Sequence, residues 1–172
     1  MHGPVFLVEP STDYQEAYIS FYEEWKQSGE DIVPWVVTKD PYDFSGMVRF
    51  LREGIQAASE NLVPHTTYWL VNEEKKVLGA VNIRHRLNAK LLNSGGHIGY
   101  GIRPSERRKG LATALLHLAL QKTRELGLDQ VLVVCDKGNI GSERTILKNG
   151  GVFDSEYMEP NGNIVRRFWI PL

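Results

Sequence analysis

Apolar residues in the first part of the chain repeat with helical spacing. The sequence predicts a short strand over Pro4–Val8, a helix from Asp13 to Gly29 and a second helix from Tyr42 to Ser59. Residues three or four positions apart share one face of a helix, so each helix is expected to bury a single stripe. The stripe of the second helix consists of Phe44, Met47, Val48, Leu51 and Ile55.

The apolar pattern changes to the period of strands in the middle of the chain. Thr66–Val71 and Lys76–Arg86 are rich in β-branched and aromatic residues and flank a polar turn at residues 72–75. This arrangement predicts a β-hairpin. A polar stretch over residues 88–96 then leads to a further predicted strand, His97–Arg103.

The C-terminal part alternates helices and strands. The pattern predicts a helix over Arg107–Leu126, an apolar strand over Gln130–Cys135, a shorter helix capped by Asn139, and a hairpin of Gly151–Tyr157 with Asn163–Ile170. The element order is therefore β-α-α-β-β-β-α-β-α-β-β. It predicts a mixed α/β (α+β) domain rather than a regularly alternating, doubly wound sheet.

Composition excludes several classes of protein. The chain has 172 residues and a net charge of −1, which favours one globular domain and gives no broad footprint for nucleic acid. No apolar run approaches the roughly 20 residues needed to span a bilayer, and no leader segment is evident, so we expect a cytoplasmic protein without membrane association. The single cysteine, Cys135, excludes an internal disulfide, is expected to be buried, and offers no metal cluster.

One segment predicts a binding site. Residues 99–113 have the sequence G-Y-G-I-R-P-S-E-R-R-K-G-L-A-T, in which a strand stops at Pro104 and a helix begins near Gly110. The first backbone N–H groups of a helix have no partner within the helix and lie at the positive end of its dipole. Such a turn favours an anion, and phosphate or pyrophosphate in particular.

Two common phosphate-binding motifs do not fit this segment. The dinucleotide fingerprint G-x-G-x-x-G belongs between a strand and a helix, whereas Gly99 and Gly101 lie within the predicted strand and are followed by Pro104. A P-loop requires Gly-Lys-Ser/Thr, whereas Lys109 precedes Gly110 here. A capped and solvated helix start that binds nothing is the remaining structural alternative.

The pattern Arg107-x-x-Gly110-x-Ala112 resembles the pyrophosphate loop of the Gcn5-related N-acetyltransferase (GNAT) superfamily. The resemblance covers the chain from Thr66 to its end, and residues 1–64 only in their helix order. It implies one N-acetyltransferase domain over residues 1–172, with an acceptor-side part at 1–64 and a core at 65–172. The implied fold is a central, mixed but mostly antiparallel, twisted sheet of about seven strands with about four helices, splayed between the fourth and fifth strands.

The resemblance also implies how acetyl-CoA, the expected co-substrate, is held. Its pyrophosphate would lie on the loop and helix start, at Arg107, Arg108, Lys109, Gly110, Leu111, Ala112 and Thr113. Its pantetheine arm would follow the backbone of Tyr100, Gly101 and Ile102. Asn139 either contacts the arm or simply caps its helix, and the two roles are compatible.

The sequence departs from the superfamily where a catalytic acid is expected. Many relatives carry a tyrosine seven residues after the position of Asn139, and this chain has Ile146 there. Tyr157 or Tyr100 would then supply the proton, or the thiolate leaves without a dedicated acid. His97 is the candidate base by position, although strand alternation places it on the face opposite Tyr100, which favours a structural role.

Arg84 and His85 form a second polar cluster that could face the acceptor. We therefore predict transfer of an acetyl group from acetyl-CoA directly to a primary amine of a small molecule or peptide, without a metal. The alternatives are a catalytically inactive acyl-CoA-binding or sensing domain, motivated by Ile146, and a nucleotide-binding module. The acids and aromatic residues at 30–61 would tolerate a cationic amine, and the strand Ile164–Ile170 could support a homodimer.

Overall fold

The computed structural model describes residues 2–57, 59 and 61–172. The strands form two antiparallel sheets, in the orders β1-β2-β3-β4 and β5-β7-β6. The elements are β1 (Val5–Val8), α1 (Gln15–Ser28), α2 (Phe44–Glu53), β2 (His65–Asn72), β3 (Val77–Arg84), β4 (Ile98–Ile102), α3 (Leu111–Glu125), β5 (Gln130–Asp136), α4 (Ile140–Lys148), β6 (Val152–Met158) and β7 (Ile164–Pro171). The predicted fold, with seven strands and four α-helices in the described residues, is confirmed.

The two sheets meet where β4 begins and then diverge. The backbone N–H of His97 donates to Leu132 O at 2.7 Å, and Leu132 N donates in return to His97 Nδ1 at 2.9 Å. Beyond this point β4 pairs with β3, and β5 pairs with β7. The predicted separation of the fourth and fifth strands is confirmed, and it leaves one edge of β4 open.

Two hydrophobic cores cover the faces of the first sheet. On one face α3 packs through Leu111, Leu115 and Leu116. On the other face α1 and α2 bury a cluster of aromatic residues, in which the rings of Tyr18 and Trp69 stack at 4.5 Å. Burial of each large apolar side chain stabilises the fold by roughly 1.5–3 kcal/mol. Of the stripe predicted for the second helix, Phe44, Met47, Val48 and Leu51 are buried against the sheet. Ile55, predicted to be buried with them, is 51% exposed because it lies beyond Glu53, where the α-helix ends.

The helix after the anion-binding segment is shorter than predicted. The apolar pattern predicted a start at Arg107, whereas the helix begins at Leu111, next to the start near Gly110 that the motif indicated. The reason is local, because Arg108 and Gly110 have positive φ angles of 62° and 79°, which a right-handed helix does not contain. The intervening residues form a turn whose backbone conformation differs from that of the helix.

The second helix also ends early. Its α-helical part stops at Glu53 and a short 3-10 turn follows over Gly54–Gln56. Gly54 packs against His65, where a Cβ atom would lie 2.5 Å from the imidazole Cε1. Glycine is also a weak helix former. Residue 58, within the span predicted for this helix, lies outside the described residues.

The polar stretch before β4 contains a turn that the pattern did not predict. Residues Leu91–Gly95 form a single π-helical turn, which ends at Gly96 with a φ of 69°. None of the helices in the described residues has the length and apolar content required to cross a membrane.

Candidate acetyl-donor site

A cavity of about 540 Å³ lies at the open edge of β4, between the first turns of α3 and α4. Every residue predicted to hold the cofactor lines this cavity except Lys109. The connection between α1 and α2 contributes Asp31 and Val33, and α1 contributes Trp25. The structure thus brings together residues that are more than a hundred positions apart in the sequence, from Trp25 to Lys148.

The first turn of α3 presents free backbone donors to this cavity. Gly110 occupies the N-cap position, no side chain caps the helix, and its first hydrogen bond runs from Ala114 N to Gly110 O at 3.1 Å. The N–H groups of Leu111, Ala112 and Thr113 precede that bond and lack helical acceptors. Gly110, Leu111, Ala112 and Thr113 all line the cavity, and a Cβ atom at Gly110 would meet nothing closer than His2 at 3.8 Å. This cradle fits a diphosphate.

Two of the predicted basic residues anchor the turn. Arg107 Nε donates to Ile102 O at 3.1 Å, its Nη1 donates to Glu30, and its guanidinium lies 5.1 Å from the Trp25 ring. Lys109 does not line the cavity, and its Nζ pairs with Glu106 at 2.8 Å. Both side chains therefore fix the turn.

Positive charge at the cavity also comes from α4, which sequence reasoning missed. Arg144 and Lys148 line the cavity together with Arg108. All three are exposed, and none is paired with an acid in the described part of the chain. The four-residue spacing of Arg144 and Lys148 after the Asn139 cap is a signal that could have found them, because it places them on one helix face.

The open edge of β4 supplies the backbone groups that the resemblance implies. Arg103 N donates to Leu78 O at 2.8 Å across the ladder with β3. Backbone groups alternate between the two edges of a strand, so those of Ile102 and Tyr100 point away from β3 and into the gap. The carbonyl of Ile102 accepts a hydrogen bond from Arg107 Nε. The Ile102 N–H and the backbone N–H and C=O of Tyr100 therefore remain to face the cavity.

Gly101 packs closely against Val33 and Trp25, which form the cavity wall opposite α3. A Cβ atom at Gly101 would lie 2.2 Å from Val33 O and 2.4 Å from Trp25 Cη2, so only glycine fits at this position. Trp25 is itself held by a hydrogen bond from Nε1 to Asp31 O at 3.1 Å. The sequence analysis did not assign Trp25, Asp31 or Val33 to the donor site.

Tyr100 brings a hydroxyl group to the cavity. Its Oη lies 2.8 Å from Ser142 Oγ, and Ser142 N donates to the Asn139 side chain at 3.1 Å, so Asn139 caps α4 and also lines the cavity. Burial raises the pKa of Tyr100 to about 12, which keeps the hydroxyl protonated at neutral pH. Ile146 is fully buried in the core and has no proton to donate.

The two residues named as acid and base from the sequence lie elsewhere. His97 is buried, and its Nδ1 accepts the Leu132 N–H. Burial, with a smaller contribution from the charge of Arg84, lowers the pKa of His97 to about 4. Tyr157 lies on β6, which is separated from β5 by β7, at a distance of about two strand spacings, or roughly 9.5 Å. Neither residue lines the cavity.

The predicted acceptor-side residues are also outside the cavity. His85 Nε2 lies 2.7 Å from Thr66 Oγ1 at the end of the β2–β3 hairpin. Arg84 lies beside Gly99, beyond the end of the cavity at Gly101. Cys135 is buried as expected, and burial raises its pKa to about 11. Within the described ranges, no group of three or more His, Cys, Asp or Glu side chains is placed to hold a metal ion.

Comparisons with known proteins agree with this geometry. A family model described as an acetyltransferase (GNAT) domain matches residues 5–152. A point mutant of spermidine N-acetyltransferase SpeG from Vibrio cholerae has 16% identity and a TM-score of 0.64 over 98% of this chain and 95% of that one. The microcin C7 self-immunity acetyltransferase MccE, solved with acetyl-CoA and AMP, has 17% identity and a TM-score of 0.66 over 99% and 94%.

A GNAT-family acetyltransferase from Streptococcus pneumoniae has 18% identity and a TM-score of 0.67, over 98% of this chain and 100% of that one. At these identities the structural matches show the fold. No curated protein matches the sequence.

Proposed function

This chain belongs to the GNAT acetyltransferase family, and from that premise we propose that it transfers an acetyl group from acetyl-CoA directly to a primary amine of a small molecule or peptide. The observation that carries the proposal is the cavity itself. It joins an uncapped helix N-terminus, suited to a diphosphate, to a strand edge with unpaired backbone groups, suited to an amide-containing arm.

The residues of the cavity fit acetyl-CoA from end to end. The N–H groups of Leu111, Ala112 and Thr113 would hold the diphosphate, with Arg108 adding positive charge. The open edge of β4 at Tyr100 and Ile102 would pair with the pantetheine amides. The bound thioester supplies an activated acetyl group and a thiolate leaving group.

We propose Tyr100 Oη as the proton donor of the reaction. It lines the cavity, Ser142 Oγ holds it at 2.8 Å, and its raised pKa keeps it protonated. Tyr157 lies outside the cavity and is not carried into the proposal. Nor is His97 proposed as the base, because its Nδ1 is occupied by a backbone N–H and its low pKa makes it a weak proton acceptor at pH 7.

The diphosphate cradle is tested by Gly110→Asp. The new carboxylate would occupy the space in front of the free N–H groups, and we expect the affinity for coenzyme A to fall by more than about 100-fold in titration calorimetry. Gly127→Asp is the matched control. Gly127 also has a positive φ, 81°, and also lies at an end of α3, but at the terminus remote from the cavity. Unchanged affinity in Gly110→Asp would contradict the proposed site.

A sensing domain is the second candidate, and the buried Ile146 favours it. Such a domain would bind acetyl-CoA tightly and release no thiol with any amine. Thiol release from acetyl-CoA in the presence of amino acids, polyamines, aminoglycosides and peptide N-termini separates the two functions. A cytoplasmic location, a homodimer and the absence of a nucleic-acid or membrane partner remain predictions from the sequence.

A further inference from the structure

Arg84 carries a positive charge that the protein does not neutralise. It ends β3, and its Nη1 donates to the carbonyl groups of Gly95 and Gly96 at 3.2 and 3.4 Å. In the described part of the chain, no Asp or Glu oxygen lies within 4.0 Å of this guanidinium. The side chain is half-buried.

The other arginines of the described chain are either paired or exposed. Arg103, which is 4% exposed, binds Glu24 at 3.0 Å. The remaining arginines that pair with acids are Arg52, Arg107, Arg166 and Arg167. Those that are exposed are Arg49, Arg86, Arg108, Arg124 and Arg144. Arg84 alone among the described arginines is withdrawn from water without an acidic partner.

Such an arrangement is unfavourable in the absence of a ligand. Partial burial of a charge costs free energy unless an opposite charge compensates it. Here burial lowers the pKa of Arg84 to about 10. The pKa values of His65 and His97 are each lowered to about 4, mainly by burial and secondly by the charge of Arg84. The surroundings of Arg84 are thus electropositive and contain neutral histidines rather than acids.

The position of Arg84 relates it to the reacting end of the donor site. A Cβ atom at Gly99 would lie 3.1 Å from Arg84 Nη2 and 3.2 Å from Pro34 Cβ, so the guanidinium lies directly over Gly99. Gly99 and Gly101 are two residues apart on β4, so they share a face and are separated by roughly 6.7 Å. Gly101 lies in the donor cavity. Arg84 is therefore one strand repeat beyond the end of the cavity that Gly101 forms.

Two acidic residues, Glu106 and Asp31, line the cavity, and neither pairs with Arg84. Glu106 is bound to Lys76 and Lys109, at 2.6 and 2.8 Å, and Asp31 lines the wall beside Trp25. A polycationic amine approaching Gly99 would meet the guanidinium and be repelled. A carboxylate could instead accept hydrogen bonds from the planar guanidinium, because Arg84 Nη2 and Nε have no hydrogen-bond partner in the described residues.

We infer that the acceptor is a zwitterionic amine of the amino-acid type, and that the Arg84 guanidinium beside Gly99 binds its carboxylate. This inference rests on the proposed acetyl transfer. The attraction places the amine of the same molecule next to the inner end of the donor cavity. It also selects against carboxylate-free amines, because their charge is opposed by Arg84.

The test compares the standard amino acids with the amines obtained by their decarboxylation, together with spermidine, by thiol release from acetyl-CoA. We expect each accepted amino acid to exceed its amine counterpart in kcat/KM. Arg84→Met should raise KM for the amino acid by about 10- to 100-fold. It should raise kcat/KM for the amine, because the opposing charge is removed. Arg84→Lys should be intermediate, because lysine keeps the charge and lacks the planar fork.

Arg86→Met is the matched control, since Arg86 is two residues further along and exposed. A purely structural role for Arg84 would lower the activity with both substrate classes equally, which would overturn the inference. Turnover of carboxylate-free amines that equals or exceeds that of amino acids would also overturn it while leaving acetyl transfer intact. No turnover with either class, despite coenzyme A binding, would contradict acetyl transfer itself.

Discussion

At the α3 end of the cavity the groups aimed at a ligand are backbone amides, whereas beyond its other end they belong to one side chain, the guanidinium of Arg84. The amides of Leu111, Ala112 and Thr113 are fixed by the helix and change little with their surroundings. Arg84 depends on Gly95, Gly96 and Gly99 for its direction. Backbone amides suit the binding of a donor that a whole family shares. A single side chain suits the binding of an acceptor that varies between family members.

The same contrast extends to the packing of the two glycines on β4. Gly101 faces Val33 O and the Trp25 ring, which are backbone and a buried aromatic group. Gly99 faces the end of the Arg84 side chain and Pro34. The donor end is therefore rigidly enclosed, and the acceptor end can give way by a few tenths of an ångström.

The largest expected effect comes from adding a methyl group at each glycine. Gly101→Ala should lower the free energy of unfolding by about 3 kcal/mol, because neither neighbour can move. Gly99→Ala should cost less than about 1 kcal/mol. Urea unfolding measures both, and Gly3→Ala, with no atom within 4 Å of the added Cβ, is the control for the change in chain entropy. Equal losses of unfolding free energy in Gly101→Ala and Gly99→Ala would contradict the difference in packing between the two ends.

Next in size is the effect of the Tyr100 hydroxyl at the donor end. Tyr100→Phe should lower kcat by about 10²-fold with little change in coenzyme A affinity, because only the proton donor is lost. Tyr157→Phe should leave kcat at the wild-type value. Since Tyr100 has a pKa of about 12, no loss of rate due to its ionisation is expected below about pH 10. A rate loss confined to Tyr157→Phe would instead make Tyr157 the acid.

The smallest effect concerns the histidines near Arg84. His97 has a pKa of about 4 in the folded chain, below its ordinary value of 6.5, so the unfolded chain binds more protons between those two pH values. Stability is therefore full above pH 6.5 and is lost as the pH falls toward 4. Between pH 7 and pH 5.5 the loss due to His97 should be about 1 kcal/mol.

His97→Asn keeps an acceptor for the Leu132 N–H and removes the titration. Urea unfolding at the two pH values should therefore show a loss about 1 kcal/mol smaller than in the wild type. His117→Asn, on the exposed side of α3, should behave as the wild type does. A wild-type pH dependence in His97→Asn would show that this imidazole does not titrate as its environment indicates.

Much of the fold was predictable because its signals are local. The period of apolar residues placed the helices and strands, and residues 99–113 indicated the anion site before any contact was known. The turn at Arg108 and Gly110 was placed inside the helix, because their positive φ angles are not visible in an apolar pattern. The same limit hid the end of the second helix at Glu53 and the close packing of the following Gly54 against His65.

The side chains around the reacting end were less predictable. His97 has the right residue type and lies on the right strand, yet its Nδ1 is used to join β4 to β5. Arg107 belongs to the motif, yet its guanidinium holds Ile102 O and Glu30. Trp25 lies in a helix far from the motif in the sequence, yet it forms a wall of the cavity and donates to Asp31 O. Each of these roles depends on partners from distant parts of the chain.

The sequence by itself determined the donor end, because helix-start amides need only a glycine, a short turn and the following helix to be formed. Only the tertiary structure decided which side chains lie at the proposed acceptor position. It separated Arg84 from every acid in the described chain, paired Arg103 with Glu24, and placed Tyr100 against Ser142. The physical reason is that backbone donors follow from local conformation, whereas the charge and proton affinity of a side chain follow from burial and from neighbours that the fold supplies.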